Sequence, residues 1–131
     1  MKTILVDAVY CFVIEAESGN FEIFEDMHEM LEMFPNRKIL LTGADDAQFR
    51  GFGLDAMPYE VFTLKHDPEK TDPEYFRALL AHFNLKSDDV VYFEHSLPAV
   101  ESAASVGIVS YHYDNAARDL GALKEFLAKN L

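Results

Sequence analysis

Short apolar runs alternate with amphipathic segments along the whole chain, and this alternation predicts the order of strands and helices. Between the runs, apolar residues recur at helical spacing, as in Phe24, Met27, Leu31 and Phe34. Five runs have the length and the β-branched or aromatic content of buried strands. They are Ile4–Val6, Ile39–Leu41, Val61–Leu64, Val90–Phe93 and Ile108–Ser110.

Turn and cap residues predict where the other elements begin and end. Ser18-Gly19-Asn20 separates two short β-rich pieces, so residues 12–23 are expected to form a small hairpin. Asp72-Pro73 is typical of a helix start, because Asp caps free N–H groups and Pro fits the first helical position. Gly107 is expected to end the helix that begins near Ser96. Further helices are predicted over about 45–50, opened by Thr42-Gly43, and over 116–127.

Strands that alternate with helices predict a parallel sheet, because each return crossover needs about a dozen residues. The runs are almost continuously apolar, which is typical of strands covered by helices on both faces. We therefore expect an α/β fold of one domain, residues 1–131: a three-layer α/β/α sandwich around a five-stranded parallel sheet, with the strand that ends at Asp7 in the centre. A flavodoxin-like receiver domain shares this alternation. It requires an acidic residue after the third strand, where this chain has Leu64-Lys65.

Composition narrows the class of protein. The 131 residues carry a formal net charge of -12, which argues against binding to nucleic acids or to anionic membranes. The only cysteine, Cys11, cannot form an internal disulfide, and this fits a reducing, cytoplasmic location. The apolar stretch Ile4–Ile14 contains Asp7 and no signal-peptide cleavage site follows it. No run reaches the ~18 apolar residues of a membrane span.

Four polar residues are expected beyond the ends of the strands, where α/β folds bind their ligands. Asp7 can act as a nucleophile or as a metal ligand. Thr42 and Gly43 can offer a hydroxyl and backbone N–H groups to an anion if they open a helix. Lys70 can neutralise a phosphate and keep Asp7 ionised. Glu94 can complete an oxygen-ligated Mg2+ site or pair with Lys70.

These residues belong to four segments that resemble, in order, the four motifs of the haloacid dehalogenase (HAD) superfamily, whose members are mostly magnesium-dependent phosphatases. The segments are Ile4–Asp7, Ile39–Gly43, Lys70–Phe76 and Val90–Ser96, the last followed by Val100–Ala104 and Gly107-Ile108. The resemblance implies the HAD-like Rossmannoid fold, with residues 12–23 as the flap hairpin after the first strand. It also implies a capless member, because the chain leaves no room for a cap domain. Such members act on large substrates or close their site by homo-oligomerisation, for which Phe12 and Phe21 are candidate exposed contacts.

The activity that the resemblance implies is phosphate-monoester hydrolysis through an aspartyl-phosphate. Asp7 is then the nucleophile, and Thr42, Gly43 and Lys70 hold the phosphoryl oxygens of a phosphorylated substrate or another anion. Mg2+ is then held by the Asp7 and Glu94 carboxylates and by the backbone carbonyl of Val9.

The chain departs from the family pattern where protons and metal are handled. Val9 replaces the general acid/base Asp of the first motif, and loss of such a group costs about 10²–10⁴ in rate. His95 stands where the fourth motif often has a second Asp, and it can serve as a proton shuttle. Ala99 replaces another residue that is often polar. Two interpretations stay open: a weak HAD-like phosphohydrolase, or a catalytically inactive binding or regulatory domain.

Overall fold

The computed structural model describes residues 1–131. The strands are β1 (Thr3–Asp7), β2 (Val13–Glu15), β3 (Phe21–Ile23), β4 (Lys38–Thr42), β5 (Glu60–Thr63), β6 (Val90–Glu94) and β7 (Val109–His112). The α-helices are α1 (Glu25–Leu31), α2 (Asp46–Gly51), α3 (Pro73–Phe83), α4 (Leu97–Ser105) and α5 (Leu120–Asn130), with 3₁₀ turns at Leu54–Ala56 and Ser87–Asp89. All of these helices fall short of the length and apolar character that a membrane span requires.

Five strands form one parallel sheet in the order β5-β4-β1-β6-β7, so the predicted sheet is confirmed and β1 is its central strand. Asp7 lies opposite Leu41 of β4, and Val6 lies opposite Phe93 of β6. The strands β4, β1 and β6 therefore end side by side at one edge of the sheet.

Helices cover both faces of the sheet, as the three-layer sandwich requires. Successive side chains of a strand point to opposite faces. Val6 lies in a buried cluster with residues of α1 and α5, such as Leu127. Its neighbour Leu5 lies in a second cluster with Leu79 of α3 and Ala103 of α4. Both faces of β1 are thus fully buried, which explains its continuous apolar sequence.

The flap hairpin forms as predicted, but one of its aromatic residues is not exposed. Strands β2 and β3 pair antiparallel. The expectation that Phe12 is an exposed contact is wrong, because its side chain is fully buried and lies 5.5 Å from the His28 ring and 5.4 Å from the Tyr59 ring. Phe21 is half-buried and packs edge-on against Phe52 at 4.8 Å. Phe12 thus belongs to the core that anchors the flap.

Helix α2 covers nearly the predicted residues, but Thr42 and Gly43 do not open it. Asp45 caps it by accepting the N–H of Gln48 at 2.9 Å, and the Gln48 side chain accepts the N–H of Asp45 at 3.0 Å. Thr42 and Gly43 therefore precede the helix and do not open it, which corrects the predicted helix start.

Helix α5 begins later than predicted, at Leu120 instead of near Ala116. The Asp114 side chain accepts the N–H of Ala116 at 2.9 Å, and this bond holds the segment in a turn. Asp119 then caps α5 through the N–H of Ala122 at 3.0 Å.

Candidate active site

The three adjacent strands bring three of the predicted residues to one edge of the sheet. Asp7, Thr42 and Glu94 are the last residues of β1, β4 and β6. The loop between β5 and α3 brings Lys70 to the same edge, where its amine contacts Asp7 and Glu94. Asp7 and Glu94 are only 2% and 1% exposed. Residues that are far apart in the sequence thus meet in one buried cluster.

Lys70 joins the two carboxylates on one side. Its Nζ donates to Asp7 Oδ1 and to Glu94 Oε1, both at 2.7 Å. A third, longer contact of 3.3 Å reaches the backbone carbonyl of Leu41. Because an ammonium group has three N–H donors, all of them are engaged.

His95 joins the same two carboxylates on the other side. Its Nδ1 contacts Asp7 Oδ2 and lies 3.1 Å from Glu94 Oε2. Its backbone N–H also approaches Asp7 Oδ2, at 3.4 Å. The Tyr10 ring packs edge-on against the imidazole at 5.5 Å. Asp7 and Glu94 are therefore bridged twice, once by an amine and once by a ring nitrogen.

The remaining donors to the carboxylates come from β6, from the segment after it and from the flap. Tyr92 precedes Glu94 by two residues and so lies on the same side of β6, and its hydroxyl donates to Glu94 Oε1. The N–H of Ser96 donates to Glu94 Oε2 at 3.1 Å. The Cys11 thiol donates to Asp7 Oδ2 at 3.3 Å. Each of the four carboxylate oxygens thus has at least one protein donor.

Burial and neighbouring charges set the ionisation of the two acids. Burial, reinforced by repulsion from Glu94, raises the pKa of Asp7 above its usual range. Lys70 lowers the pKa of Asp7, as expected from the sequence, but burial and Glu94 outweigh it. Burial also disfavours charge on Glu94, but Lys70 and then His95 outweigh it and hold the pKa of Glu94 well below its usual range.

The two bridging nitrogen groups are cationic at neutral pH. Hydrogen bonds to Asp7 and then to Glu94 raise the pKa of His95 to about 10. Burial opposes the charge of Lys70, but the attraction of Asp7 and Glu94 is stronger and raises the pKa of its amine. Two acids and two basic groups thus face one another in the cluster.

A cavity of about 260 Å³ opens onto this cluster. Its wall includes Asp7, Lys70 and His95 together with Thr42 and Gly43. No backbone hydrogen bond outside the helices and strands uses the N–H of Gly43. A larger cavity of about 430 Å³, lined by parts of α2 and β5, includes none of the predicted site residues.

Thr42 lies at the cavity wall and acts as a local cap. Its hydroxyl accepts the N–H of Ala44 at 3.2 Å, so it caps the turn after β4 rather than a helix. Its carbonyl accepts the Tyr75 hydroxyl at 2.8 Å. The hydroxyl hydrogen of Thr42 is used by no protein group and remains available to an oxygen atom in the cavity.

The donor set of the cluster does not suit Mg2+. An ion shared by Asp7 and Glu94 needs two carboxylate oxygens at about 2.0–2.1 Å. One facing pair, Oδ1 and Oε1, is spanned by Lys70, and the other, Oδ2 and Oε2, is spanned by His95. Val9, whose backbone carbonyl is the third predicted ligand, lies at the cavity wall.

Sequence reasoning did not predict the bridging position of His95 or the contacts of Tyr92 and Cys11. The contact of Tyr92 with Glu94 could have been predicted, because residues two apart in a strand point to the same face of the sheet. The direction of the His95 side chain was not readable, because it follows β6 in a segment whose course depends on tertiary packing.

No protein-family model matches the chain, and no curated protein matches its sequence. Solved structures do match its fold. An HAD family enzyme from Bacteroides thetaiotaomicron, an aspartate-to-alanine mutant in complex with magnesium and inorganic phosphate, matches with a TM-score of 0.73 at 12% identity, over 94% of this chain and 98% of its own. An uncharacterized protein from Corynebacterium glutamicum matches with a TM-score of 0.64 at 16% identity, over 98% of this chain and 96% of its own. A haloacid dehalogenase-like protein of unknown function from Agrobacterium tumefaciens matches with a TM-score of 0.61 at 17% identity, over 83% of this chain and 63% of its own. The chain therefore has the haloacid dehalogenase-like fold.

Proposed function

We propose that this protein is a weak phosphohydrolase, which binds a phosphorylated compound in the cavity and transfers the phosphoryl group to Asp7. The observation that carries the proposal is the Asp7 carboxylate, 2.7 Å from the Lys70 amine, at the wall of an open cavity shared with Thr42 and Gly43. A protein of the same fold has been crystallised with inorganic phosphate, which supports a phosphate ligand.

Three groups at the cavity wall can hold phosphoryl oxygens. The Thr42 hydroxyl and the Gly43 N–H are donors without a protein acceptor. Lys70 makes its longest contact, 3.3 Å, to the Leu41 carbonyl. The N–H that makes this contact can turn toward an anion instead. These donors need not break the bridge between Asp7 and Glu94.

The reaction forms and breaks one bond to phosphorus in each of two steps. An Asp7 oxygen attacks phosphorus, and the ester P–O bond breaks as the leaving group departs with the bonding electron pair. Oδ1 suits this attack, because Lys70 is its one donor. Water then attacks the aspartyl-phosphate, whose Asp–O–P bond breaks, and inorganic phosphate leaves while the proton of water passes to solvent.

Val9 replaces the acid of the first motif, so the proposed substrates are phosphate compounds whose leaving group needs no proton. The side chain of Val9 lies at the cavity wall, where it cannot act as an acid. An alkoxide is a poor leaving group without protonation, whereas a phenolate or a carboxylate leaves as a stable anion. The substrate class is therefore aryl or acyl phosphates.

A comparison of leaving groups tests this proposal. We expect turnover of 4-nitrophenyl phosphate and none of a simple alkyl phosphate, and we expect Asp7→Asn, with folding checked by circular dichroism, to abolish the turnover. Val9→Asp should restore an acid and raise the rate on the alkyl phosphate by up to about 10²–10⁴. Turnover that survives Asp7→Asn would rule out Asp7 as the nucleophile.

A binding or regulatory domain without turnover is the second candidate. The observations that favour it are the missing acid at Val9 and the two donors, His95 and Cys11, that hold Asp7 Oδ2. Calorimetric binding of inorganic phosphate by a protein that hydrolyses no ester in the panel, with binding lost in Thr42→Val, would support this candidate over the first.

Magnesium is not used in the proposed reaction. One protein of the same fold has been crystallised with magnesium, and the sequence predicts the ion at Asp7, Val9 and Glu94. In this chain, however, His95 spans the carboxylate oxygens that a shared ion needs. The positive charge beside Asp7 comes instead from Lys70 and His95.

A further inference from the structure

The two bridges between Asp7 and Glu94 differ in how the chain supplies them. Lys70 comes from a distant loop and spans Oδ1 and Oε1. His95 directly follows Glu94, and its ring nitrogen spans Oδ2 and Oε2. Both carboxylates are nearly fully buried, so each bridge neutralises charge that solvent cannot reach.

We propose that His95 takes the place of a divalent cation, so that Asp7 and Glu94 stay paired without binding metal. The proposal concerns the pairing of these two carboxylates, and it stands whether or not the cavity hydrolyses phosphate esters.

Space supports the proposal. Mg2+ bound by both carboxylates would lie about 2.0–2.1 Å from an oxygen of each. His95 Nδ1 already lies between Asp7 Oδ2 and Glu94 Oε2, 3.1 Å from the latter, so an ion cannot sit there unless the imidazole leaves. Two further contacts hold His95 in place. The backbone N–H of His95 approaches Asp7 Oδ2 at 3.4 Å, and the Tyr10 ring packs against the imidazole with 5.5 Å between the ring centres.

The position of Lys70 supports it independently. Its amine spans the other facing pair of oxygens, Asp7 Oδ1 and Glu94 Oε1, at 2.7 Å from each. Neither facing pair of carboxylate oxygens is therefore open to an ion. Replacing His95 with aspartate removes the nitrogen from between Oδ2 and Oε2 and adds a third carboxylate, which gives the oxygen donors that Mg2+ prefers.

Thermal unfolding at millimolar Mg2+ tests the proposal in the intact protein. Because the net charge is -12, weak binding elsewhere on the surface is expected, and Asp7→Asn supplies that background. We expect the wild type to show only the background rise in Tm. We expect His95→Asp to show a larger, saturable rise that is lost when Asp7→Asn is added.

His95→Gln is the matched control, because it removes the imidazole without adding a carboxylate. It should gain less from Mg2+ than His95→Asp. Manganese binding to the wild type, followed by electron paramagnetic resonance, gives a reading that does not depend on any variant folding. A stoichiometric Mn2+ site in the wild type that Asp7→Asn removes would overturn the proposal, and so would a His95→Asp protein that folds but gains nothing from Mg2+.

Discussion

Lys65 and Lys70 lie in the same loop, and each pairs with carboxylates at a similar distance. Lys65 Nζ is 3.0 Å from Asp46, and the two side chains are 59% and 71% exposed. Lys70 Nζ is 2.7 Å from both Asp7 and Glu94, and its side chain is only 15% exposed. The distance between the charged atoms therefore does not distinguish an ordinary surface pair from a pair on which the fold depends, whereas the burial of the two side chains does.

The physical reason is solvent. An exposed pair exchanges interactions with water for an interaction with its partner, and the net gain is about 0–1 kcal/mol. Water cannot solvate a buried carboxylate, so removing its partner leaves an uncompensated charge at a cost of about 3–5 kcal/mol.

The largest expected effect follows Lys70→Met. This substitution keeps a side chain of similar length but removes the amine that contacts Asp7 and Glu94. We therefore expect the free energy of unfolding to fall by about 3–5 kcal/mol. Urea denaturation measures it. Adding Glu94→Gln should recover part of the loss, because it removes one of the two stranded charges. A loss below about 1 kcal/mol would place Lys70 with the exposed lysines.

A smaller effect is expected for His95→Gln, and it should depend on pH. Hydrogen bonds to Asp7 and Glu94 raise the pKa of His95 from its ordinary 6.5 to about 10 in the folded protein. The stability that the protonated ring adds is therefore complete below about pH 6.5 and is lost as the pH rises through about 10. The difference in unfolding free energy between wild type and His95→Gln should shrink over that interval. A difference that does not change with pH would contradict a charged His95.

The smallest effect is expected for Lys65→Met, the matched control for Lys70→Met in the same loop. The exposed pair with Asp46 should contribute no more than about 1 kcal/mol to the free energy of unfolding. The same urea experiment, repeated at high salt, measures it. A loss as large as that of Lys70→Met would mean that burial does not separate the two lysines.

The sequence predicted the sheet and its central strand because buried parallel strands are apolar on both faces, and that pattern is local. It did not separate Lys70 from Lys65 by composition, since both lie in one charged stretch. Lys70 was identified by its place in an ordered set of motifs. Its contact with Glu94 was predicted only as the alternative to a metal site, and the position of β6 beside β1 is what brings the two side chains together.

The errors of the sequence analysis came from features that the apolar pattern does not carry. Thr42 was expected to open a helix, but the Asp45 and Gln48 capping box lies further along and was itself readable. Phe12 was expected to be exposed because it lies in the flap, yet it packs against α1 near His28. The position of His95 between Asp7 and Glu94 could not be predicted from the sequence, because tertiary packing fixes both of its partners.

The proposed pairing of Asp7 and Glu94 by Lys70 and His95 excludes a metal ion between the two carboxylates. A crystal structure of the wild type grown with Mn2+, with anomalous scattering recorded at the manganese edge, tests this pairing. We expect no anomalous peak between the two carboxylates, and we expect the His95 ring nitrogen to lie between Oδ2 and Oε2. A manganese peak there, with the imidazole turned out into the cavity, would contradict it.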